Sequence, residues 1–409
     1  MYTIYILCLL IFISILILLK FFNVKRNYII SIFITFFIFL FVYNLQSNMD
    51  AAVSGVKLFL VAIMPTIFPF SAICNLLIFY DGIELYSKIL GPLICKPLKL
   101  SKACSFPLAA SFICGYPLGA KYATDTYKLG YIDKEEYERL LSIATNAGPI
   151  FILGSIALSI LGDIKYGYIL LIANYLSIFL IGLLTRKKNK NLSFSENKPS
   201  NSTPSFGINL KVSIENAVST TINVGAFVVI FSVIINIIKN SNFIGLMFHN
   251  IENFLKLTPT TLYNLLLGSI EFTNGAKLIE LSSLSIPLKL SIISFILSFS
   301  GLSVIAQVSS ITSSAKPNMA KYTLYKGVQG LLSFFITLFV SYFLLKTKEV
   351  SNLNLNTSLI YYNFYKIYLF IFIVLLFTLF ISIIRNKLKK NLHSSKFWYI
   401  LFYLCSCFT

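Results

Sequence analysis

Apolar residues along this chain come in long blocks, and the polar residues between them gather into short clusters. Blocks of roughly 17–25 residues are long enough to cross about 30 Å of hydrocarbon as helices. Such blocks run over residues 2–22, 28–44, 53–80, 140–161, 166–185, 216–238, 288–308, 327–345 and 363–384, which predicts nine transmembrane helices. Two further apolar stretches, 103–124 and 259–280, are interrupted by Gly, Pro or polar residues. Each is predicted to be a re-entrant hairpin that enters and leaves on one side. The expected fold is an all-α polytopic membrane protein of about nine transmembrane helices plus two re-entrant hairpins. The first block is not expected to be a secretory signal, because no positive charge precedes it and no small-residue cleavage site follows it.

Composition supports this reading. The chain of 409 residues is 57% hydrophobic and 12% charged, against about 45–50% and 25% for a soluble domain. A water-soluble enzyme, a nucleic-acid-binding domain and a disordered chain are excluded. The net charge of +19, from 34 Lys and Arg against 15 Asp and Glu, then reports orientation, because basic loops stay on the cytoplasmic side. Lys20, Lys25 and Arg26 follow the first block, which puts the N-terminus outside. The loops predicted cytoplasmic are 81–102, with Lys88, Lys96, Lys99 and Lys102, and 186–209, with Arg186, Lys187, Lys188, Lys190 and Lys198. Loop 309–326, with Lys316, Lys321 and Lys326, and a tail with Arg385, Lys387, Lys389, Lys390 and Lys396 join them. The predicted outer loops 45–50, 162–165 and 346–362 are nearly free of basic residues. Nine spans with the N-terminus outside and the C-terminus cytoplasmic fit this asymmetry.

The stretch 186–209 is the long polar, Ser/Asn/Pro-rich segment and is expected to be a flexible linker between two halves. The chain then divides into 1–45 (two N-terminal helices), 46–185 (a first repeat), the linker, 210–346 (a second repeat) and 347–409 (a last helix and basic tail). Three anchors recur in order. Ala52-Val53-Ser54 matches Ala217-Val218-Ser219, and Gly119-Ala120-Lys121 matches Gly275-Ala276-Lys277. Asn146-Ala147-Gly148-Pro149 matches Phe299-Ser300-Gly301-Leu302. Three crossings separate the starts of the halves, and an odd number makes the repeats inverted, a common plan for secondary transporters.

The candidate chemistry sits at the interruptions. Hairpin 103–124 carries Gly115-Tyr116-Pro117-Leu118-Gly119-Ala120-Lys121, where two glycines around a proline break a helix and let backbone approach a ligand; a Pro-kinked span is the other reading. Hairpin 259–280 carries Glu271, Thr273, Asn274 and Lys277, which are costly in an apolar segment unless they are paired or bind something. A Glu271–Lys277 pair would neutralise itself, while a ligand or ion site would use these groups directly. Asn146 with Gly148 interrupts one span, and Ser298, Ser300, Gly301, Ser303 and Gln307 make its counterpart polar, either as helix-packing glue or as a cavity lining. The charged segment from Asp125 to Arg139 is expected to be a solvated cytoplasmic helix, and Lys57 is left structural. His249 and His393 stand apart, and no HExxH, P-loop or GxSxG pattern is present, so no enzyme activity, metal or cofactor is expected. The seven cysteines are scattered, and Cys405-Ser406-Cys407 has the wrong spacing for zinc.

CGYPLGAK at 114–121, EEYERLLSIATNAGPIFILGS at 135–155, EFTNGAK at 271–277 and SFSGLSVIAQ at 298–307 resemble the YlbJ family of sporulation integral membrane proteins. That family is similar to nucleoside-recognition "Gate" domain proteins and, more distantly, to concentrative nucleoside transporters. The resemblance spans roughly residues 50–345. It implies a protein of the outer forespore membrane associated with moving dipicolinate. Its site would comprise the hairpin tips 115–121 and 271–277 with Asn146, Gly148, Ser300, Gly301 and Gln307. Lys121 and Lys277, at equivalent positions, suit a planar dianion. The expected function is transport of a small anionic metabolite across a lipid bilayer by alternating access, with a proton or sodium ion as coupling partner and Glu271 as its candidate site. A nucleoside transporter of the same fold and a non-transporting scaffold for spore-envelope assembly are the alternatives.

Overall fold

The structure, a computed structural model, describes residues 26–186 and 205–349. The blocks 2–22 and 363–384, most of the 186–209 linker and the apolar segment at 397–409 lie outside the described residues. All regular structure among the described residues is helical. The chain is an all-α polytopic membrane protein. Four described helices are long and apolar enough to cross a bilayer, and two bent pairs, Asn27–Tyr43 with Leu45–Val61 and Ile67–Phe79 with Gly82–Ile89, raise that to as many as six. Large apolar side chains stand exposed along the first helix, among them Ile32, Phe33, Phe36 and Phe39, as they must where lipid is the solvent.

The described chain begins with α1 (Arg26–Tyr43), which turns by 99° into α2 (Leu45–Leu58). The predicted outer loop 45–50 is therefore helical. A π-helical turn at Phe59–Ile63 joins α2 to α3 (Met64–Phe79), and a 90° bend leads to α4 (Gly82–Ile89). The hairpin follows as α5 (Ser105–Cys114) and α6 (Leu118–Lys128). Next come α7 (Lys134–Ile143), an unwound stretch at 145–148, a π-helical segment Phe151–Leu158, and α8 (Ile164–Leu184). The block predicted as one span over 140–161 is thus two short pieces around a break. Gly148 and Pro149 explain it, since Pro lacks the amide that a continuous helix needs.

Beyond the linker the described chain is again helical, with a hairpin followed by a broken helix. A long helix, α9 (Phe206–Lys239), leads to α10 (Asn242–Phe254), then to a hairpin of α11 (Thr261–Ile270) and α12 (Phe272–Glu280). A broken helix follows, α13 (Ile286–Phe299) and α14 (Gly301–Ile311), and then α15 (Met319–Glu349). The break falls at Ser300 and Gly301, whose φ angles are 75° and 74°. α9 packs along α2 and α3, and α8 packs between the π-helical segment and α13.

Three stretches predicted to share the cytoplasmic side meet in space. The Arg139 guanidinium donates to the carbonyls of Leu98, Lys99 (2.8 Å) and Gly182 (3.0 Å) and to Thr185 Oγ1 (3.3 Å). Beside it, the Glu138 carboxylate accepts from Lys321 Nζ and Asn318 N, both at 3.2 Å. Arg139 is buried, so the segment expected to be a solvated helix is a clamp instead, because a guanidinium can satisfy several carbonyls that lipid would leave bare. The other end of the bundle is tied by Asn236, which donates to Ser47 Oγ and Asn48 Oδ1, both at 2.9 Å.

One expectation fails for a clear reason. Lys326, assigned to a basic loop over 309–326, lies inside α15 and is fully buried. α15 starts at Met319, seven residues earlier than the last predicted loop residue, so the predicted loop shrinks to a turn around 312–318.

Candidate functional site

Each hairpin closes through a glycine where its two arms cross. A Cβ on Gly119 would lie 1.9 Å from the Ala144 carbonyl oxygen and 2.7 Å from Ser111 Cβ on α5. A Cβ on Gly275 would lie 2.1 Å from Gly268 Cα on α11. Both Gly-Ala-Lys anchors let the second arm touch backbone, but on different elements: Gly275 meets Gly268 of its own hairpin, and Gly119 meets Ala144 just after α7.

Each tip then rests on the broken helix of its own half. At the first, Gly115 takes φ 79°, a Cβ there would stand 2.5 Å from Gly148 N, and Tyr116 N donates to the Asn146 carbonyl at 2.6 Å. At the second, a Cβ on Gly301 would stand 3.1 Å from the Ile270 carbonyl oxygen. The two tips meet through their aromatic residues: the Tyr116 and Phe272 rings are 5.4 Å apart edge to face, and Phe151 approaches Phe272 at 5.1 Å. A small cavity of about 50 Å³ behind the first tip is lined by residues that include Cys114, Gly148, Phe151 and Ser155.

Glu271 sits between α11 and α12 in extended conformation and is buried. Its carboxylate accepts from Thr273 N and Asn274 N, both at 2.9 Å, and from Asn274 Nδ2 at 3.0 Å. It is the N-cap of α12, in the geometry that satisfies free amides and suits the positive end of a helix. The self-neutralising Glu271–Lys277 pair is not formed; Lys277 is exposed. Lys121 is likewise occupied, donating to Asn75 Oδ1 at 2.6 Å and Asp125 Oδ2 at 3.0 Å. Gln307 is buried and bonds to Ser303 one turn earlier in α14, at 3.4 Å. So the structure brings together Gly115, Tyr116, Asn146 and Gly148 with Glu271, Ser300 and Gly301. Among the described residues, the Lys121 and Lys277 ammonium groups make no hydrogen bond to either tip.

A second set of polar residues, missed in the sequence, lies behind the first break. Lys326 Nζ donates to the Thr145 carbonyl at 2.5 Å and to Gln329 Oε1 at 2.7 Å. Gln329 Nε2 donates to Asn146 Oδ1 at 3.0 Å and reaches Asn174 Oδ1 at 3.4 Å, where Ser298 Oγ also points. Tyr322 OH donates to Thr145 Oγ1 at 3.1 Å. Three buried polar atoms around the tips and breaks have no hydrogen-bond partner among the described residues: Tyr116 OH, Ser300 Oγ and Asn174 Nδ2. Buried polar atoms are costly unless paired. The spacing of Lys326 and Gln329, one helical turn apart and facing an amide at 174, was the available signal.

Among the described residues no group of three or more His, Cys, Asp or Glu could hold a metal ion. No family model matches the chain. A relative, "Sporulation integral membrane protein YlbJ" of Bacillus subtilis (strain 168), is 26% identical over 328 residues, covering 73% of this chain and 79% of that protein. Among solved structures, CNTnw in an inward-facing substrate-bound state aligns with TM-score 0.43 at 17% identity, over 68% of this chain and 75% of that one. An intermediate state of CNTnw gives TM-score 0.43 at 17% identity over 77% and 88%. The four motifs at the hairpins and breaks and the long alignment agree: the chain is similar to this sporulation membrane protein along most of its length.

Proposed function

We propose that the chain is a membrane transporter that passes a small polar molecule between its two halves by alternating access, at a site where the two hairpin tips meet. One observation carries this reading: two hairpins, each seated on a broken helix of its own half, touch through Tyr116 and Phe272. Irregular backbone at membrane depth is tolerated where it is buried in protein or faces a polar cavity, and secondary transporters use such breaks for substrate. The halves 46–185 and 210–346 are read as inverted repeats, since the first hairpin follows the end held by Arg139 and the second follows the end held by Asn236. With the basic end cytoplasmic, the N-terminus is outside and the C-terminus inside.

The relative's name supports a role in sporulation, and the family resemblance supports dipicolinate as cargo at the outer forespore membrane. In this reading Gly115, Tyr116, Gly119, Asn146, Gly148, Glu271, Thr273, Asn274, Ser300, Gly301 and Gln307 form the site, and Glu271 is the candidate for a coupling proton or sodium ion. Lys121 and Lys277 are tested by alanine. A nucleoside is the second reading. It is favoured by the tips and the breaks they rest on, which hold a carboxylate and two hydroxyls without a partner among the described residues, Tyr116 OH and Ser300 Oγ, and no ammonium bonded to them.

The test is uptake into proteoliposomes of the purified chain, with labelled dipicolinate and labelled uridine offered separately, with and without a proton or sodium gradient. Dipicolinate uptake that falls at least tenfold in Glu271→Gln, a loss of about 1.4 kcal/mol, is the expected result. Uridine uptake alone would favour the second reading. Uptake of neither would leave a membrane scaffold.

A further inference from the structure

The network behind the first break contains a positive charge with no negative one. Lys326 has no solvent exposure, and among the described residues no carboxylate lies within ion-pair distance of it. Its two bonds are to uncharged oxygens, a main-chain carbonyl and an amide. Burying an ammonium on such terms is costly, and a membrane interior makes it more so.

The hydrogen-bond inventory is unbalanced in the same direction. An ammonium has three donors and an amide two. Lys326 spends two on Thr145 and Gln329, and both Gln329 donors are placed, on Asn146 and Asn174. Asn174, 1% exposed, receives Gln329 and Ser298 on its oxygen, which fixes which end is the nitrogen, and that nitrogen has no acceptor among the described residues. The surplus is therefore one N–H on Lys326 and the amino group of Asn174, joined by the single amide of Gln329. A group of donors without acceptors, with one net positive charge, complements a ligand that only accepts and is negative. A carboxylate has that chemistry.

The network also adjoins the tip. Thr145 and Asn146, which hold Lys326 and Gln329, belong to the break on which Tyr116 rests through its amide. Movement of the first hairpin off the break would uncover these donors.

We infer that Lys326, Asn174 and Gln329 form a carboxylate-binding subsite behind the first hairpin tip. It deepens the anionic-substrate reading above and rests on it. It also moves the cation for that substrate from the two hairpin lysines to α15.

The experiment measures thermal unfolding of the full chain in lipid nanodiscs, alone, with dipicolinate and with uridine. Lys326→Met removes the charge and keeps the bulk, and Asn174→Leu removes the free amino group and leaves the ammonium. Ligand that binds the folded state raises the unfolding temperature. Wild type should be stabilised by dipicolinate, with affinity at least about tenfold weaker in each variant. Ligand-free Lys326→Met should unfold no earlier than wild type, because a buried unpaired charge has gone. A Lys326→Met protein that unfolds earlier yet keeps the dipicolinate shift would make Lys326 a clamp on the break and overturn the subsite. If that variant does not fold, an undiminished shift in Asn174→Leu overturns it equally. In both cases the anionic reading survives. A wild type stabilised by uridine and not by dipicolinate removes the anionic reading and the subsite together.

Discussion

The two hairpins share an architecture and differ in the sign of the charge that holds each base. Before the first, a cation holds carbonyls: the Arg139 guanidinium gathers Leu98, Lys99 and Gly182. Before the second, an anion holds amides: the buried Glu252 carboxylate accepts from Thr260 N and Leu262 N at 2.7 Å and from Tyr263 N at 3.1 Å. The difference follows from what each base must satisfy. The first joins a helix C-terminus, at Gly182 to Thr185, to a turn that ends a short helix at Leu98, so bare carbonyls collect there. The second opens α11, where the first amides have no intrahelical partner. The tips keep this order, for the second carries the Glu271 cap while the cation Lys326 lies behind the break that the first rests on. Matching backbone geometry thus leaves the halves free to differ in chemistry.

The comparison breaks most completely at the crossing glycines. Gly119→Ala would drive a Cβ into a carbonyl, and Gly275→Ala into a Cα; neither obstacle can rotate away. Each should cost about 3 kcal/mol or more, read as a fall in unfolding temperature and in the yield of folded protein from membranes. If one hairpin tolerates its alanine, the two arms are not packed by the same rule.

The bases come next. Arg139→Met should cost about 3 kcal/mol, because several carbonyls lose their donor in a buried place. Glu252→Gln keeps one acceptor and should cost about 1–2 kcal/mol, chiefly at the α11 amides. Hydrogen exchange under native conditions separates them. Arg139→Met should deprotect residues 98–104 and the end of α8, and Glu252→Gln the first turn of α11. Deprotection of both bases by either change would mean that they open as one unit.

Much of this was legible in the sequence, and the rest was not for reasons that can be named. Apolar blocks and Gly or Pro interruptions marked both hairpins and both breaks, because lipid leaves few ways to place such residues. Gly119 and Gly275 emerged as a pair because backbone contact excludes every other residue type. Lys326 and Arg139 were misplaced because each lies at the edge of an apolar block, where a basic residue is normally a loop marker. Their partners, Thr145 and Gln329 for one and Leu98 and Gly182 for the other, come mostly from distant elements. Asn174 was invisible for the same reason: one amide in an apolar span is ordinary helix-packing chemistry until Gln329 and Ser298 are seen to converge on it.

The smallest expected effect concerns an ion pair that joins α7 to α15. Lys321 on α15 meets Glu138 on α7 at 3.2 Å, with side chains 40% and 18% exposed. Solvent screens such a pair, so Glu138→Gln should cost no more than about 0.5–1 kcal/mol. Its sensitivity to salt is the sharper reading. The wild-type unfolding temperature should fall slightly between 50 mM and about 1 M salt, where the Debye length shrinks to about 3 Å, and Glu138→Gln should lose most of that dependence. Asn318 N also donates to Glu138, and a glutamine oxygen can still accept it, so the turn at 312–318 should hold its place. A large loss in Glu138→Gln would mean that the pair anchors α15, and with it Lys326, against the first break. Its position, on the residue next to Arg139 and five residues before Lys326, makes this the most economical probe of whether the basic end and the buried network move together.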